Sequence, residues 1–363
     1  MAKVSRKELD AALGFVGKVV KTRTTLPVLS CVKLDLNGDI TIQATDLTTT
    51  LKQSIQSENG ASMYTWATCV PYDKFKTVVG VSASDEVELT LNGDTLTVKN
   101  GKTTSKIRCL SIEDYPLIDY GGFSEVCMIQ SALLIKGVGR VSHAANPDSN
   151  LPKVNSVYLD GMGDGLNLVS LDGVGVMAML ETGVKPSSAF EVILPLASTS
   201  FLSALNGLVT ISLKENQVMF STGVETVISQ YTQDKYPEYN RLIPKDFKFS
   251  ILGETTEMVQ ALKVSQVFGK DDFNVAVMQV SPAKGSASIS SRSTELGDGG
   301  AEVSLTVEGM DIDFKLMFNV KYMLDTLSNA TANYLMRVGD DRAIVQSALQ
   351  DGWTGMVVFM QPK

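Results

Sequence analysis

The residues with catalytic potential in this chain are few. Two acidic pairs, Asp271-Asp272 and Asp340-Asp341, stand beside Lys270 and Arg342, and there is a single histidine, His143. Paired carboxylates ligate a divalent cation, and so support hydrolysis, when several converge from rigid elements. Both pairs fall in stretches that read as loops, where carboxylates are ordinarily solvated, so a metal-dependent hydrolase is the weaker reading. One histidine in 363 residues leaves no material for a His-rich metal site or a His-based triad. His143 follows Lys136 and Arg140 at i, i+4, i+7, one face of a helix. There it is expected to meet phosphate or solvent rather than act as a general base. Neither G-x-x-x-x-G-K-[ST] nor G-x-S-x-G occurs, and Gly137-Val138-Gly139 and Gly173-Val174-Gly175 are fragments only. Cys31, Cys69, Cys109 and Cys127 include no C-x-x-C pair, which argues against zinc, and a chain of this size does not need disulfides. No cofactor is expected.

Around these residues the elements read clearly. Ser5-Arg6-Lys7-Glu8 is a capping box, with Ser5 at the N-cap and Glu8 reaching back. Leu9, Ala12, Leu13, Val16 and Val20 then give one apolar helix face, with Lys7, Gly14, Lys18 and Lys21 opposite. Alternating strands flank Asn37-Gly38 and again Asn92-Gly93, the two-residue signature of tight hairpins. Between them Pro71 opens a short helix running to Gly80. The same order recurs: a helix over 130–143, a Pro-started helix at Pro195–Asn206, strands from Leu208 and Val218, a helix from Glu254, and its shorter companion at Asn319–Asn329. The repeat of about 125 residues is that of duplicated domains, not of solenoid units. Asp114-Tyr115-Pro116 and Lys235-Tyr236-Pro237 mark the joints, giving domains 1–122, 123–247 and 248–363. The polar, glycine-rich stretch Ser290–Gly300 reads as a loop inside the third.

Charge is distributed unevenly. The chain has 32 Lys+Arg against 40 Asp+Glu, a net charge of −8, which excludes a uniformly basic nucleic-acid binder. Residues 3–23 nevertheless carry six Lys and Arg against Glu8 and Asp10, and the helical segments together hold about +7. Basic helices within an acidic remainder suit a surface that holds a phosphate backbone without reading bases. Hydrophobic residues at 44% and charged residues at 20% describe a soluble globular protein. Glu8 and Asp10 interrupt any apolar leader, and no run reaches the roughly 18–20 apolar residues of a membrane span, so a cytoplasmic location is expected.

Four motifs, in order along the whole chain, resemble the bacterial DNA polymerase III beta subunit family, the sliding clamps. Leu26-Pro27-Val28-Leu29-Ser30 with Ala44-Thr45-Asp46-Leu47 is similar to that family's first-domain signature. Tyr236-Pro237-Glu238-Tyr239-Asn240-Arg241-Leu242-Ile243-Pro244 is similar to its second-domain end. Phe318-Asn319-Val320-x-Tyr322 and the terminal Val357-Val358 are similar to its third domain. The resemblance implies an α+β fold of three similar domains, each with two helices packed on antiparallel sheets, forming half of a closed ring. Two subunits close head-to-tail as a homodimer around double-stranded DNA, without sequence specificity. The ring tethers the replicative polymerase, an ATP-driven clamp loader opens it, and it has no catalytic step of its own. The competing reading is an interaction scaffold of three repeated domains that never touches DNA; the segregated charge counts against it.

The resemblance also assigns residues. Arg23, Lys74, Asn146 and Lys153 are its DNA-facing candidates, and Lys136 and Arg140 join them from the helix pattern. Asp73 stands where the family often has a base, which weakens the case for that helix, and the loop after His143 is slightly longer than usual. Ile107 is expected to face Val267 and Phe268 across the subunit joint. A pocket for short partner peptides is expected between domains two and three. Its candidates are Val154, Leu171, Gly173, Val174, Gly175, Val176, Pro237, Arg241, Leu242 and Phe273. Asn319, Tyr322, Val357, Val358, Phe359 and Met360 complete it. There the chain departs from the family: members commonly read His-Arg-Leu where Val174-Gly175-Val176 stands, and Met-Pro-Met-Arg-Leu where Phe359-Met360-Gln361-Pro362-Lys363 stands. An altered peptide preference is expected, as in a phage or plasmid copy.

Overall fold

A computed structural model describes residues 2–57, 65–81, 84–269, 274–293 and 297–360. Asp271, Asp272 and Phe273 lie outside the described residues. Among those described there are six α-helices: α1 (Arg6–Val16), α2 (Tyr72–Gly80), α3 (Ser131–Ser142), α4 (Leu196–Leu202), α5 (Thr255–Gly269) and α6 (Val320–Leu327). Each begins where the sequence marks it. The Ser5 hydroxyl accepts from the Glu8 backbone N–H at 3.4 Å, Pro71 precedes α2, and the Asn319 carboxamide accepts from the N–H groups of Lys321 and Tyr322. α1 buries Leu9, Ala12, Leu13, Phe15 and Val16 and stops at Gly17, short of Val20. Lys76 ties α2 to α1, its ammonium 2.8 Å from both the backbone and the side-chain oxygen of Asp10.

The chain packs as two compact units, Met1–Ala132 with Ser200–Tyr231, and Leu133–Thr199 with Thr232–Lys363. The first unit holds two antiparallel sheets. One has four strands in the order Ala2–Ser5, Glu86–Asn92, Thr95–Asn100, Thr103–Arg108. The other has eight: Trp66–Pro71, Cys31–Asn37, Asp39–Thr45, Thr49–Ile55, Glu225–Gln230, Gln217–Ser221, Leu208–Lys214 and Ser124–Gln130. The second unit holds one sheet of twelve strands. Its order is Glu191–Pro195, Ser156–Asp160, Asn167–Leu171, Val176–Glu181, Trp353–Val358, Arg342–Ser347, Asn333–Val338, Phe249–Glu254, Gly297–Glu308, Ser286–Ser293, Val275–Ser281 and Phe314–Asn319. The middle third of the chain is shared between the units because its strands continue the sheets of both neighbours. Thr49–Ile55 pairs with Glu225–Gln230, and Val176–Glu181 pairs with Trp353–Val358.

Both Asn-Gly hairpins form, and their glycines hold left-handed backbone, φ +81° at Gly38 and +58° at Gly93. Within the stretch Ser290–Gly300 the described residues, 290–293 and 297–300, are strand and not loop. Ser286–Ser293 pairs with the strand beginning at Gly297, in register Ser293 to Gly297. Ala287, Ile289, Ser291 and Ser293 are buried while Ser288, Ser290 and Arg292 face out, so the alternation is that of a strand whose inward positions include serines. All four cysteines are buried free thiols, and burial pushes Cys31 up to about 11 and Cys69 up to about 12. Among the described residues no helix is long and apolar enough to cross a membrane, and no group of three His, Cys, Asp or Glu could hold a metal ion. Asp340 and Asp341 are in ion pairs with Lys248 and Arg342.

The largest departure from the expected surface is the α3 face. Arg140 is 8% exposed and does not present its charge to solvent. Its guanidinium donates to the Asp351 carboxylate at 2.7 Å, to the Asn329 carbonyl at 2.7 and 3.1 Å, and to the Ser347 hydroxyl at 3.2 Å. It also lies 4.9 Å from the Trp353 ring centroid, and the Trp353 indole N–H donates back to the Arg140 carbonyl at 3.1 Å. Arg140 is thus withdrawn as a phosphate contact. A guanidinium can be buried here because nearly all its donors find acceptors. His143 turns inward with it. Its Nδ1 lies 3.0 Å from the Arg140 carbonyl and 3.1 Å from the Asn329 amide nitrogen, and its buried Nε2 has no partner among the described residues. Burial, more than any other cause, lowers its pKa to about 4.

This pKa has a measurable consequence. The folded chain keeps His143 neutral, while the unfolded chain protonates it near the ordinary value of 6.5. Stability should therefore be fully present above about pH 6.5 and fall as pH drops towards 4, by about 3 kcal/mol in all. Because His143 is the only histidine, urea unfolding between pH 6.5 and 5.5, above the range in which the carboxylates titrate, reads it with least interference. His143→Gln should flatten that slope; an unchanged slope would place its origin elsewhere.

Candidate functional site

The chain offers two kinds of surface: cations on the helices and an apolar groove in the second unit. Among the expected phosphate contacts, Arg23 is exposed just beyond α1, Lys74 is exposed on α2, and Lys136 is exposed on α3. Asn146 and Lys153 bound the loop after α3 and are half-buried. The Asn146 side chain is engaged in its own turn, accepting from the Asp148 N–H at 3.1 Å, which leaves Lys153 as that loop's cation, in the same loop as the exposed Asp148 carboxylate. Not every cation on or just beyond the helices is available. Lys76 is held by Asp10, Lys21 by Asp46, Lys321 by Asp325, and Arg140 is buried.

The groove is built on one carboxylate. Between strands Asn167–Leu171 and Val176–Glu181, Asp172 Oδ1 accepts from the backbone N–H groups of Val174 at 2.8 Å, Gly175 at 2.8 Å and Val176 at 3.0 Å. Gly173 holds φ +79° in this turn, a conformation glycine adopts without strain. The clamp lifts Val174 to the tip, 80% exposed, and tucks Gly175 under. A Cβ on Gly175 would lie 3.0 Å from the Tyr322 ring, so a side chain there would press on that ring. Burial, and then the Asp172 carboxylate, push the Tyr322 phenol up to about 12. The Gly175 carbonyl accepts from the Val358 N–H at 2.9 Å, which joins the turn to the last strand.

Below the turn, Val154, Leu171 and Met177 share one core with Tyr158, Tyr236 and Met356, and Leu242 and Val358 pack at its half-buried edge. Val176 and Val357 face each other across the strand pair and are fully interior. They are floor, not contact surface. The reachable apolar groups are Val174, Leu242, Tyr322, Val358, Phe359 and Met360. The Phe359 N–H donates to the Asp341 carbonyl and the Met360 N–H to the Met317 carbonyl, each at 2.7 Å, so the tail is fixed up to Met360. Arg241 is exposed and ion-paired to Glu238 beside exposed Pro237, while Asn319 is occupied as the cap of α6. Sequence reasoning named these positions but missed Asp172, whose role showed only as an Asp before a Gly.

The expected subunit-joint residues differ in accessibility. Val267 is 58% exposed on α5. Phe268 is half-buried, its ring against Gly299, where a Cβ would approach to 2.1 Å. Ile107, in contrast, is only 5% exposed: its side chain turns under α2. It forms one wall of a groove of about 480 Å³ that Lys74, Thr77 and Val78 complete.

Two domain profiles match this chain: the DNA polymerase III beta subunit N-terminal domain over residues 2–119, and its C-terminal domain over residues 240–335. A beta sliding clamp of Pseudomonas putida is 25% identical over 368 aligned positions covering 99% of each chain. A Bacillus subtilis beta sliding clamp is 24% identical over 95% of this chain and 98% of its own. Among solved structures, the DNA polymerase III subunit beta of Pseudomonas aeruginosa superposes with a TM-score of 0.92 at 24% identity, covering 99% of this chain and all of that one. With both terminal domains matched and the relatives aligned from end to end, the chain belongs to the DNA polymerase III beta subunit family.

Proposed function

We propose that this protein is a sliding clamp: it encircles double-stranded DNA as a ring and tethers the replicative polymerase, with no chemistry of its own. The observation that carries this reading is the end-to-end correspondence with proteins named beta sliding clamps, with nothing large added or lost. The reading divides the chain into domains 1–122, 123–247 and 248–363, six of which make the ring of a homodimer. Arg23, Lys74, Lys136 and Lys153 then supply charge to the bore. A few scattered cations give weak, salt-sensitive contacts that carry no sequence preference.

Two strand edges support closure. Thr103–Arg108 is the edge of its four-stranded sheet and carries exposed Lys106 and Arg108. Gly297–Glu308 pairs on one side along 297–304, and its second neighbour reaches only Leu305–Glu308; exposed Asp298 and Glu302 lie on the open part. Edges of opposite charge suit strand addition between subunits. In that joint the groove beside Ile107 would receive an apolar side chain, for which Phe268 of the partner subunit is the candidate. Lys106→Glu with Val267→Asp, both exposed, should convert a species of twice the chain mass into one of single mass in analytical ultracentrifugation. A persistent dimer would remove this joint. Ile107→Asp would not discriminate, since it would also bury a charge within its own unit.

Encirclement predicts retention without affinity. Clamps loaded onto nicked circular DNA by a clamp loader should stay bound in high salt and be lost when the circle is linearised. Equal retention on both forms would exclude a topological link.

The groove under Val174 is the proposed dock for short peptides of the polymerase and loader. A few buried apolar anchors carry most of the energy of such contacts. Val174→Asp, at an exposed turn tip, should leave thermal stability unchanged and weaken binding of the polymerase C-terminal peptide at least tenfold, about 1.4 kcal/mol. Calorimetry giving the same affinity in both proteins would move the dock elsewhere. Arg at position 175 would have to move the Tyr322 ring by a few tenths of an ångström, since its Cβ would lie 3.0 Å from that ring.

A further inference from the structure

The eight-stranded sheet of the first unit carries a feature that clamp function does not use. On its outer face one cross-strand row reads Lys33, Gln43, Lys52, each residue paired directly with the next across Cys31–Asn37, Asp39–Thr45 and Thr49–Ile55. The next row begins Asp35, Thr41. Charged residues in such rows ordinarily project into water. Here the segment from Ile112 to Tyr120 crosses over them as a strap. Tyr120 donates to the Gln43 side-chain oxygen at 2.6 Å, and Tyr115 donates to the Gln43 backbone carbonyl at 3.4 Å. Gln43 is consequently only 5% exposed although it lies on the outward row.

Strap and sheet leave a cavity of about 390 Å³ between them. That is the size of a small-molecule site, and its lining combines aromatic faces with a few convergent polar groups. The floor is the Lys33–Gln43–Lys52 row, and the roof includes Tyr115 and Tyr120. Its charge is not balanced. Lys33 has Asp35 at 3.9 Å, the outer limit of an ion pair. Lys52 has no carboxylate partner among the described residues; its ammonium instead sits 4.3 Å from the Tyr120 ring centroid. A cation over an aromatic face, partly desolvated, is a ready partner for an anion that adds a true counter-charge.

We propose that this cavity binds a small aromatic anion, a planar ring bearing a phosphate or carboxylate group. The anionic oxygens would lie between the ammonium groups of Lys33 and Lys52, and the ring under Tyr115 and Tyr120. Asp35, at the end of the floor, would accept from a hydroxyl or amino substituent on the ring. The site is separate from the peptide groove in composition: all its residues belong to the first unit, and it stands whether or not the clamp reading does.

Calorimetric titration of the whole protein with phenyl phosphate, benzoate, inorganic phosphate and phenol tests both halves of the recognition. Phenyl phosphate or benzoate should bind with one-to-one stoichiometry and compete with the other, and the stronger of the two identifies the anionic group. Inorganic phosphate and phenol should each bind at least tenfold more weakly. Lys52→Met and Lys33→Met keep most of the aliphatic stem and should each weaken the stronger probe tenfold or more. A readout free of substitution is the methyl resonances of Ile112 and Ile118, which line the cavity and should shift saturably with that probe. No saturation by either aromatic anion, equal affinity for inorganic phosphate, or affinity unchanged in both lysine variants would each overturn the proposal.

Discussion

The pairing of Val176–Glu181 with Trp353–Val358 is the constraint on which the second unit depends. Five residue pairs in antiparallel register weld the middle of the chain to its last strand, so that one sheet runs through twelve strands. The groove is a by-product of that weld. The turn that enters the pair, clamped by Asp172, and the tail that leaves it, fixed to Asp341 and Met317, are brought side by side because their strands are neighbours. A further brace closes the far end of the pair. Trp353, fully buried, is held by Arg140, whose guanidinium gathers Asp351, Asn329 and Ser347 as well.

Burial of that guanidinium alters how the charge of the chain should be understood. A basic residue on a helix is ordinarily taken as surface, and a row at i, i+4, i+7 as a stripe. Here only Lys136 of the row faces out, while Arg140 and His143 are spent on tertiary structure. The positive surface offered by the helices is thinner than composition suggests, and it rests on a handful of side chains with no ion pair among the described residues. Such a surface suits contact that must hold without gripping.

What the sequence made legible is what local rules decide. Ser5, Asn319 and Pro71 mark helix starts because capping is settled within four residues, and Asn-Gly marks hairpins because only a left-handed turn joins strands so closely. The groove positions were legible through family motifs, not through chemistry. The residues that failed are decided by distant partners. Arg140 finds Asp351 across 211 positions, and no spacing rule reaches that far. Ser291 and Ser293 face inward on a strand because small side chains fit under α5, yet a run of serines and glycines looks like a loop. Ile107, expected at the subunit joint, lies between exposed Lys106 and Arg108 and is itself buried, because alternation along a strand sends neighbours to opposite faces.

The open strand edges have a bearing on solubility. A strand that exposes unpaired backbone groups adds to any compatible strand it meets, which is how folded chains stack into aggregates. Thr103–Arg108 carries cations and the free part of Gly297–Glu308 carries carboxylates. Two copies approaching through the same edge meet like charge and are turned away, whereas unlike edges attract. Lys106 on one edge and Asp298 and Glu302 on the other, with Arg108 already paired to Asp94, thus discourage the symmetrical stacking to which bare edges are prone.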